Sequence, residues 1–363
     1  MLPLLKLLKK NKDIDLKIIA TDQHTNKNFG NTYNTISKDF GKKNIIKIQS
    51  TQDTDTLLSR SNSFSNILKN LSLIFQKKKP DLLMLYGDRG ESLISAIVAN
   101  NFEIPICHFQ GGDLSGNIDE NFRHAITKLS NFHFVSNFQS KKRILQLGEN
   151  YQFCFNFGDT HIDSLKSVNI SKKNFEKIKN KYQLPNNYVV YLLHPEGKSR
   201  IENYTNSNIS LNALKSLKKN ILAIYPCTDF GYLGIINSLK KFKRKYKYIE
   251  VYKNIIYPEF INILKNSEFL IGNSSSGIIE SAYLNLPVIN LGDRQKNRLK
   301  PSNVFNSRFS NHEIKKIIKM ISRKKIKKPK LLYGSGSSFK KTYIKILEIL
   351  KSKKSNYKNF HEI

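Results

Sequence analysis

One predicted helix carries three side chains that can hold charge or exchange protons. Asp119, Arg123 and His124 follow a Gly-Gly turn, while Ala125 and Leu129 supply an apolar side. Residues four positions apart share a helix face, so the Asp119 carboxylate and the Arg123 guanidinium are expected to point the same way. Ionisable groups beside a glycine loop at the end of a parallel strand suit an acid–base site. An ordinary solvated ion pair is the alternative.

A second loop with ionisable side chains follows the apolar run at residues 82–86. It reads Gly87-Asp88-Arg89-Gly90-Glu91. Asp88 is a candidate acid or base, and Arg89 is a candidate contact for a phosphate or a nucleobase. Asp and Arg are common in such turns, so this loop alone does not distinguish a site from a turn.

The segment Gly272-Asn273-Ser274-Ser275-Ser276-Gly277 is a candidate anion site. It is predicted to open a helix over residues 278–284, whose unsatisfied backbone N–H groups and dipole favour a phosphate. Glu280, one turn into that helix, is a candidate acceptor for ribose hydroxyls. A helix cap in a tight turn needs one serine and would not explain three between glycines.

His194 precedes Pro195 at the end of another predicted strand. A histidine at the carboxyl end of a strand can bind a diphosphate. A single histidine is more often structural, and that interpretation stays open.

Apolar strands and amphipathic helices alternate along the chain, which predicts an α/β fold with parallel sheets. Strands are predicted over residues 16–20, 82–86, 104–109, 132–136, 153–157, 188–193, 221–225, 249–252, 269–271 and 288–291. Helices are predicted over residues 2–10, 92–100, 278–284 and 340–351, and a further helix carries Asp119, Arg123 and His124. We expect two doubly wound domains that face a central cleft, where the carboxyl ends of the strands gather the candidate residues.

The expected domain limits follow a Lys/Asn-rich stretch between the two strand series. The N-terminal domain is predicted over residues 1–165 and the C-terminal domain over residues 166–338. Residues 339–363 form a last helix and tail, and we expect the helix to pack back on the N-terminal domain.

Composition narrows the class of protein. The chain has 363 residues, 39% hydrophobic content, three cysteines and a net charge of +33. Most of the positive charge is lysine spread along the chain, and the clusters at residues 240–247 and 323–330 make no stacking platform, so solvated surface is favoured over a nucleic-acid groove. No apolar run approaches the ~18 residues of a membrane span. We expect a reduced, cytoplasmic protein that needs no metal and binds neither nucleic acid nor membrane.

Taken together, the motifs resemble the hydrolysing branch of the UDP-N-acetylglucosamine 2-epimerase family. The resemblance spans nearly the whole chain and is most specific in the acidic helix around Asp119. The motifs are, in chain order, Ala-Thr-Asp-Gln-His24, Gly-Asp88-Arg89, His108-Phe-Gln110-Gly-Gly, Ser115-Gly-Asn-Ile-Asp119-Glu, Arg123-His124-Ala-Ile-Thr-Lys-Leu-Ser, Gly272-Asn273-Ser274-Ser275-Ser276-Gly277 with Glu280, and Pro287-Val-Ile-Asn-Leu-Gly-Asp-Arg294-Gln. The resemblance implies two Rossmann-like domains in a GT-B-like arrangement, with sugar chemistry in the first and UDP binding in the second.

The implied reaction converts UDP-N-acetylglucosamine and water into N-acetylmannosamine and UDP, the entry to sialic-acid-type sugars. UDP leaves C1 while a proton leaves C2, and the resulting 2-acetamidoglucal is hydrated with the opposite configuration at C2. The resemblance assigns proton transfer to Asp88 and Asp119, with Arg123 and His124 orienting them or the sugar.

The resemblance also implies how the substrate is held. His194, Arg294 and the segment 272–277 are candidates for stabilising the UDP leaving group. Arg89, His24 and Glu280 are further candidate substrate contacts. No cofactor or metal is implied, and a homo-oligomer, dimer or tetramer, is expected.

The chain departs from the family pattern in two places. Gln110 stands where many members place a Glu with a catalytic part, and a neutral amide cannot take a proton. This shifts proton transfer toward Asp88, Asp119 and His194, and it points to a subgroup acting on a 2,4-diacetamido-6-deoxy sugar of the legionaminic-acid route.

The chain also begins at Met1 in a helix, where family members first have a central strand. We expect an upstream strand in the functional protein, because its absence leaves apolar strand edges unpaired.

Other functions stay open. The same chemistry on the diacetamido sugar is the nearest alternative. A glycosyltransferase of the same fold would need an acceptor, and the acidic helix argues against it. A non-catalytic nucleotide-sugar binder is favoured by Gln110 and by the missing first strand.

Overall fold

The computed structural model describes residues 1–25, 32–49, 54–116, 118–196, 199–216, 219–323, 327–352 and 358–362. The chain forms two compact units. Unit 1 comprises Met1–Leu114, Ile118–Ser164 and Tyr333–Ile363, and unit 2 comprises Ser115–Asn117 and Leu165–Leu332. Each unit is built from parallel strands and helices, so the predicted α/β class is confirmed.

Unit 1 alternates strands with helices from its first residues. Its helices are α1 Leu2–Lys10, α2 Tyr33–Phe40, α3 Leu57–Lys77, α4 Gly90–Asn101, α5 Asp119–Leu129, α6 Phe138–Gln146 and α7 Thr160–Lys166, which runs on into unit 2. Its strands are β1 Ile18–Ala20, β2 Ile45–Lys47, β3 Leu83–Tyr86, β4 Ile106–Phe109, β5 Phe132–Val135 and β6 Cys154–Asn156. Helix α14, Ser338–Lys351, returns to this unit.

The strands of unit 1 form two parallel sheets. One has the order β3-β4-β5-β6, and the other pairs β1 with β2. Within the described ranges, β1 pairs with β2 and β3 pairs with β4. A further strand beside them stays a prediction.

Unit 2 is one doubly wound sheet. Its helices are α8 Lys172–Tyr182, α9 Arg200–Lys215, α10 Tyr232–Lys245, α11 Tyr257–Lys265, α12 Ser281–Leu284 and α13 Asn311–Arg323. Its strands are β7 Tyr188–Leu192, β8 Asn220–Ile224, β9 Ile249–Tyr252, β10 Leu270–Gly272, β11 Val288–Leu291 and β12 Val304–Ser307, all parallel in the order β12-β11-β10-β7-β8-β9. The order reverses between β7 and β10, and such a switch point is where doubly wound sheets bind ligands.

The central strand β7 shows why this segment forms a buried strand. Val189 and Tyr191 pack into one apolar cluster, while Tyr188 and Val190 pack into the cluster on the other face. A strand covered on both faces is apolar without alternation, as its sequence is. Helix α14 likewise buries Ile346 in a cluster with Leu4 and Leu8 of α1.

The helix predicted over residues 278–284 begins later in the structure than expected. Ser275–Gly277 form a 3-10 turn, and α12 begins only at Ser281. The Ser274 side chain accepts a hydrogen bond from the N–H of Ser276, which favours the tighter turn. No helix in the described ranges is long and apolar enough to cross a membrane.

Candidate functional site

Three loops with polar side chains meet at one edge of the β3-β4-β5-β6 sheet in unit 1. Asp88 follows β3, Gln110 follows β4 and Asp159 follows β6. The strands run parallel and in register, so their carboxyl ends lie along the same edge. Two of the predicted site residues are therefore brought to one place, together with Asp159, which the sequence analysis did not select.

Arg123 is the centre of the charged cluster. Its side chain is 1% exposed, and its guanidinium forms a short contact with the Asp88 carboxylate. A second guanidinium nitrogen donates to the backbone carbonyl of Asp113 at 2.7 Å. A buried guanidinium is stable only when carboxylates and carbonyls accept its hydrogen bonds, so Arg123 fixes the positions of both loops.

Asp119 and Arg123 both lie on the buried face of α5, as their spacing predicts. The Asp119 carboxylate lies 3.9 Å from the Arg60 guanidinium of α3. Both side chains are buried, so they do not form the solvated ion pair that the sequence also allowed. His124 faces elsewhere: its ring lies 4.0 Å from Glu120, and partial burial lowers its pKa.

Asp113 is a buried residue of this cluster that sequence reasoning missed. Its side chain accepts hydrogen bonds from Ser136 at 3.2 Å and from Asn137 at 3.1 Å, and it forms a short contact with Ser140. The signal was present, because Asp113 directly follows the Gly-Gly turn that drew attention to this region. Asn117, in the same motif, lies outside the described residues.

Gln110 lies in a network that the sequence did not reveal. It is 8% exposed and holds a left-handed backbone with φ of 62°, a strained conformation for this residue type. Its amide donates to Asp159 at 2.5 Å, and the Asp159 carboxylate also contacts His161 at 3.0 Å. Burial alone would raise the pKa of Asp159, but the His161 ring and the hydrogen bonds lower it to about 2.

Arg89 is held by carboxylates of its own unit. It lies 3.1 Å from Asp22 and 3.1 Å from Glu91. Burial raises the pKa of Glu91, but the Arg89 guanidinium outweighs it and holds that pKa below its usual value. His24 is exposed and lies 2.6 Å from the Thr32 hydroxyl. Substrate contacts of Arg89 and His24 stay predictions.

In unit 2, Asn273 joins the ends of β7 and β10 at the switch point. Its side-chain oxygen accepts from the N–H of His194 at 2.6 Å, and its amide donates to the His194 carbonyl at 2.9 Å. The His194 Nδ1 accepts from the N–H of Cys227 at 3.0 Å. A backbone N–H can only donate, so the neutral ring carries its hydrogen on Nε2 and presents a donor there.

Arg294 belongs to the same loop cluster. Its guanidinium donates to the Asn273 carbonyl at 3.3 Å and lies 3.7 Å from the Asp229 carboxylate. The Glu196 carboxylate accepts from the backbone N–H of Arg294 at 3.4 Å and from the Asn273 amide at 3.3 Å. The predicted residues His194, Asn273 and Arg294 are thus brought together, with Glu196 and Asp229 as partners that the sequence did not indicate.

The backbone of the serine segment differs from the expected anion site. The N–H groups of Asn273, Ser276, Gly277, Ile278 and Ile279 already donate within unit 2. The prediction that they are unsatisfied is wrong, because the Leu192 carbonyl accepts from Asn273 and the 3-10 turn supplies the acceptors of the other four. The half-buried hydroxyls of Ser275 and Ser276 remain candidate ligand contacts, whereas Ser274 caps the turn.

Two further predicted site residues, Glu280 and Gly272, have clear structural roles. Glu280 is 2% exposed, and its carbonyl accepts from the N–H groups of Tyr283 and Leu284. Gly272 has φ of 145° and passes so close to β7 that an added Cβ would lie 1.8 Å from the Leu192 carbonyl oxygen. Only glycine fits there.

Comparison with known proteins agrees with these motifs. A family model described as UDP-N-acetylglucosamine 2-epimerase matches residues 6–351. The chain is 31% identical to the UDP-N,N'-diacetylbacillosamine 2-epimerase (hydrolyzing) of Legionella pneumophila, over 96% of this chain and 91% of that protein. It is 34% identical to the GDP/UDP-N,N'-diacetylbacillosamine 2-epimerase (hydrolyzing) of Campylobacter jejuni, over 84% of this chain and 79% of that protein.

A solved structure has the same fold. The UDP-GlcNAc 2-epimerase of Methanocaldococcus jannaschii, crystallised with UDP-GlcNAc and UDP, superposes with a TM-score of 0.79. The match covers 96% of this chain and 95% of that chain at 21% identity. At this identity the likeness concerns the fold, a GT-B-like pair of α/β domains.

Proposed function

The chain belongs to the UDP-N-acetylglucosamine 2-epimerase family, and we propose that it is a hydrolysing member. In this proposal it converts a UDP-2-acetamido sugar and water into the free 2-epimeric sugar and UDP. The carrying observation is the buried Arg123, which lies on the same helix as Asp119 and whose guanidinium contacts Asp88 in the loop after β3. That acidic helix is the part of the sequence most typical of the hydrolysing branch, and both relatives described above are named as hydrolysing enzymes.

The first candidate substrate is UDP-N,N'-diacetylbacillosamine, a 2,4-diacetamido-2,4,6-trideoxy sugar. Its support is the identity to two relatives named for that sugar, together with Gln110 in place of the usual Glu. UDP-N-acetylglucosamine is the second candidate, since the family model carries its name. Its product would be N-acetylmannosamine, a precursor of sialic-acid-type sugars.

Unit 2 is proposed to bind UDP and to stabilise it as a leaving group. The C2 proton of the sugar is only weakly acidic, so the departing diphosphate must be stabilised as C1–O breaks. The Nε2–H of His194 provides a neutral donor, and Arg294 provides positive charge beside the same loop. The Ser275 and Ser276 hydroxyls and Glu280 are proposed contacts for phosphate and ribose.

Unit 1 is proposed to carry the proton transfers on the sugar. Elimination removes a proton from C2, and hydration returns one to the opposite face. Asp88 and Asp119 are the proposed carboxylates for this chemistry, and Arg123 positions Asp88. Gln110 is proposed to hydrogen-bond the sugar, because an amide cannot exchange the proton.

Two other classes of protein, a glycosyltransferase and a non-catalytic binder, would give products different from those of a hydrolysing epimerase. A glycosyltransferase would release UDP only with an acceptor sugar, and a non-catalytic binder would return the nucleotide sugar intact. We therefore propose to incubate the protein with each UDP-sugar in buffer alone and to quantify UDP by anion-exchange chromatography. UDP release by the wild type and its loss in Asp88→Asn support the proposal, whereas an acceptor requirement or unchanged substrate contradicts it.

We also propose a cytoplasmic homo-oligomer, dimer or tetramer, that works without a cofactor or metal and has neither a nucleic-acid nor a membrane partner. Support for the location is the nucleotide-sugar chemistry together with the free cysteines Cys107, Cys154 and Cys227. Light scattering coupled to gel filtration tests the assembly, and a monomer at assay concentration would contradict it.

A further inference from the structure

A histidine outside the mechanism above lies at the same edge of the unit 1 sheet. His161 is the second residue of α7, and its Nδ1 lies 3.0 Å from Oδ1 of Asp159. The backbone N–H of His161 donates to that same oxygen at 2.7 Å. The Asp159 side chain is fully buried, whereas the imidazole is 34% exposed. A buried carboxylate that orients a partly exposed imidazole is the arrangement by which enzymes prepare a histidine to take a proton.

The hydrogen bonds around Asp159 determine which ring nitrogen carries hydrogen. The carboxylate accepts from the Gln110 amide at 2.5 Å and from the Tyr86 hydroxyl at 3.2 Å. Burial raises the pKa of Asp159, but the His161 imidazole and backbone N–H, together with the Gln110 amide, lower it to about 2, so the group is an ionised acceptor at neutral pH. Nδ1 lies 3.0 Å from this carboxylate and 2.7 Å from the Tyr86 hydroxyl oxygen. A hydrogen on Nδ1 avoids opposed lone pairs at the ionised carboxylate, and the Tyr86 oxygen can accept it as well, so we assign the lone pair of neutral His161 to Nε2.

Gln110 links this pair to the candidate sugar site. Its amide nitrogen lies 3.2 Å from His161 Nδ1, and the N–H of Gly87, the residue before Asp88, donates to the carbonyl of Phe109, the residue before Gln110. A glutamate here would place a second carboxylate against Asp159 and disfavour ionisation of both. The neutral amide of Gln110 instead donates to Asp159 and cannot take a proton, which leaves the His161 imidazole as the basic group of this network.

The other groups at this edge are less suited to the first proton transfer. Asp88 contacts the Arg123 guanidinium, and Asp119 lies 3.9 Å from Arg60. Both are carboxylates held in place by a positive partner. His124 is turned toward Glu120, at 4.0 Å, and away from this network.

We propose that His161 is the catalytic base of the elimination step, an assignment that rests on the proposed function. Nε2 takes the proton from C2 of the sugar, and the C2–H electron pair forms the C1=C2 double bond. The C1–O bond breaks, and its electron pair leaves on the β-phosphate oxygen of UDP. The imidazolium, stabilised by Asp159, then releases its proton to solvent. This refines the assignment above: Asp88 and Asp119 hold the sugar during the elimination and exchange the proton in the hydration of the glycal.

The test uses the full chain, with UDP release measured from the UDP-sugar that the wild type consumes. His161→Gln keeps a polar side chain of similar length but cannot take a proton, so kcat is expected to fall about 10²–10⁴-fold. His161→Ala should lose as much and should regain activity when free imidazole is added. Substrate deuterated at C2 should give a larger isotope effect in His161→Gln than in the wild type, because breaking C2–H becomes rate-limiting. His312→Gln, an exposed histidine on α13, is the matched control and should equal the wild type.

The outcomes separate the two proposals. If the wild type is active and His161→Gln stays within twofold of it, the assignment of His161 is overturned. A loss in both variants without imidazole rescue and without a change in isotope effect would mean a structural part, and would overturn it as well; far-UV circular dichroism identifies unfolded variants. If the wild type releases UDP from neither sugar, the proposed function fails and the assignment falls with it.

Discussion

At the scale of single residues, the site in unit 1 depends on Arg123 more than on any carboxylate. The guanidinium is almost fully buried and joins the Asp88 side chain to the backbone of Asp113. A planar group with donors in fixed directions can make both contacts at once. Lysine, with one ammonium, cannot reproduce this geometry.

Arg123→Lys is therefore expected to lower kcat/KM about 100-fold, because a small displacement of Asp88 has costs of that order. Steady-state kinetics of UDP release measure this change. Asp88→Asn and the double variant complete a cycle, and the two losses should be clearly less than additive, since both disturb one contact. Additive losses would contradict the view that Arg123 acts by positioning Asp88.

Some residues of the unit 1 site could be predicted from the sequence, and others could not. The spacing of four placed Asp119 and Arg123 on one helix face, as the structure confirms. Their actual partners, Asp88 and Arg60, come from distant segments, which helical spacing cannot reveal. Asp159 and His161 were missed because a lone Gly-Asp at a strand end is common in turns, and its significance depends on Gln110 from another strand.

At the scale of elements, the approach of β10 to β7 positions the candidate nucleotide site. Gly272 lets the two strands come together, and Asn273 then reaches the backbone of His194. The strand pattern predicted both strands well. The helix after β10 was predicted to begin at residue 278, whereas α12 begins at Ser281, after a 3-10 turn that the Ser274 side chain favours.

Gly272→Ala should destabilise the protein by more than about 3 kcal/mol or prevent soluble expression, because its Cβ would lie 1.8 Å from the Leu192 carbonyl oxygen. The matched control is Gly41→Ala. Gly41 also has positive φ, at 81°, but nothing lies within 4 Å of the added carbon. Gly41→Ala should lower the free energy of unfolding by about 1 kcal/mol, the cost of the backbone strain alone. Equal thermal midpoints for the two variants would show that the close approach does not matter.

At the scale of the whole molecule, an ionic cluster around the buried Glu149 holds Lys358, near the C-terminus, against earlier residues of unit 1. Glu149 contacts His133 at 3.0 Å, Lys128 at 2.8 Å and Lys358 at 2.7 Å. Lys358 also donates to the Ser130 carbonyl, just after α5. Burial raises the pKa of Glu149, but these partners lower it to about 2. Composition could not predict this cluster, since it combines residues more than 200 positions apart.

Glu149→Gln should lower the free energy of unfolding by about 3 kcal/mol at pH 7, because it leaves positive groups without their buried partner. The folded pKa is depressed, so this contribution is present above the ordinary value near 4.5 and is lost as the pH falls toward about 2. Urea unfolding followed by circular dichroism at pH 7, 5 and 3 measures the difference. Glu250→Gln, in the exposed Lys243–Glu250 pair, is the control and should change stability by less than about 1 kcal/mol. A difference that grows on acidification would contradict the account.

The most direct test of the central claim is to incubate the protein in D₂O with UDP-N,N'-diacetylbacillosamine, and in parallel with UDP-N-acetylglucosamine, and to follow the sugar by proton NMR. We predict free UDP and a free sugar with inverted configuration and deuterium at C2, since solvent supplies that proton after elimination. A UDP-linked product epimerised at C2, or a released sugar that keeps its C2 proton and configuration, would contradict a hydrolysing 2-epimerase.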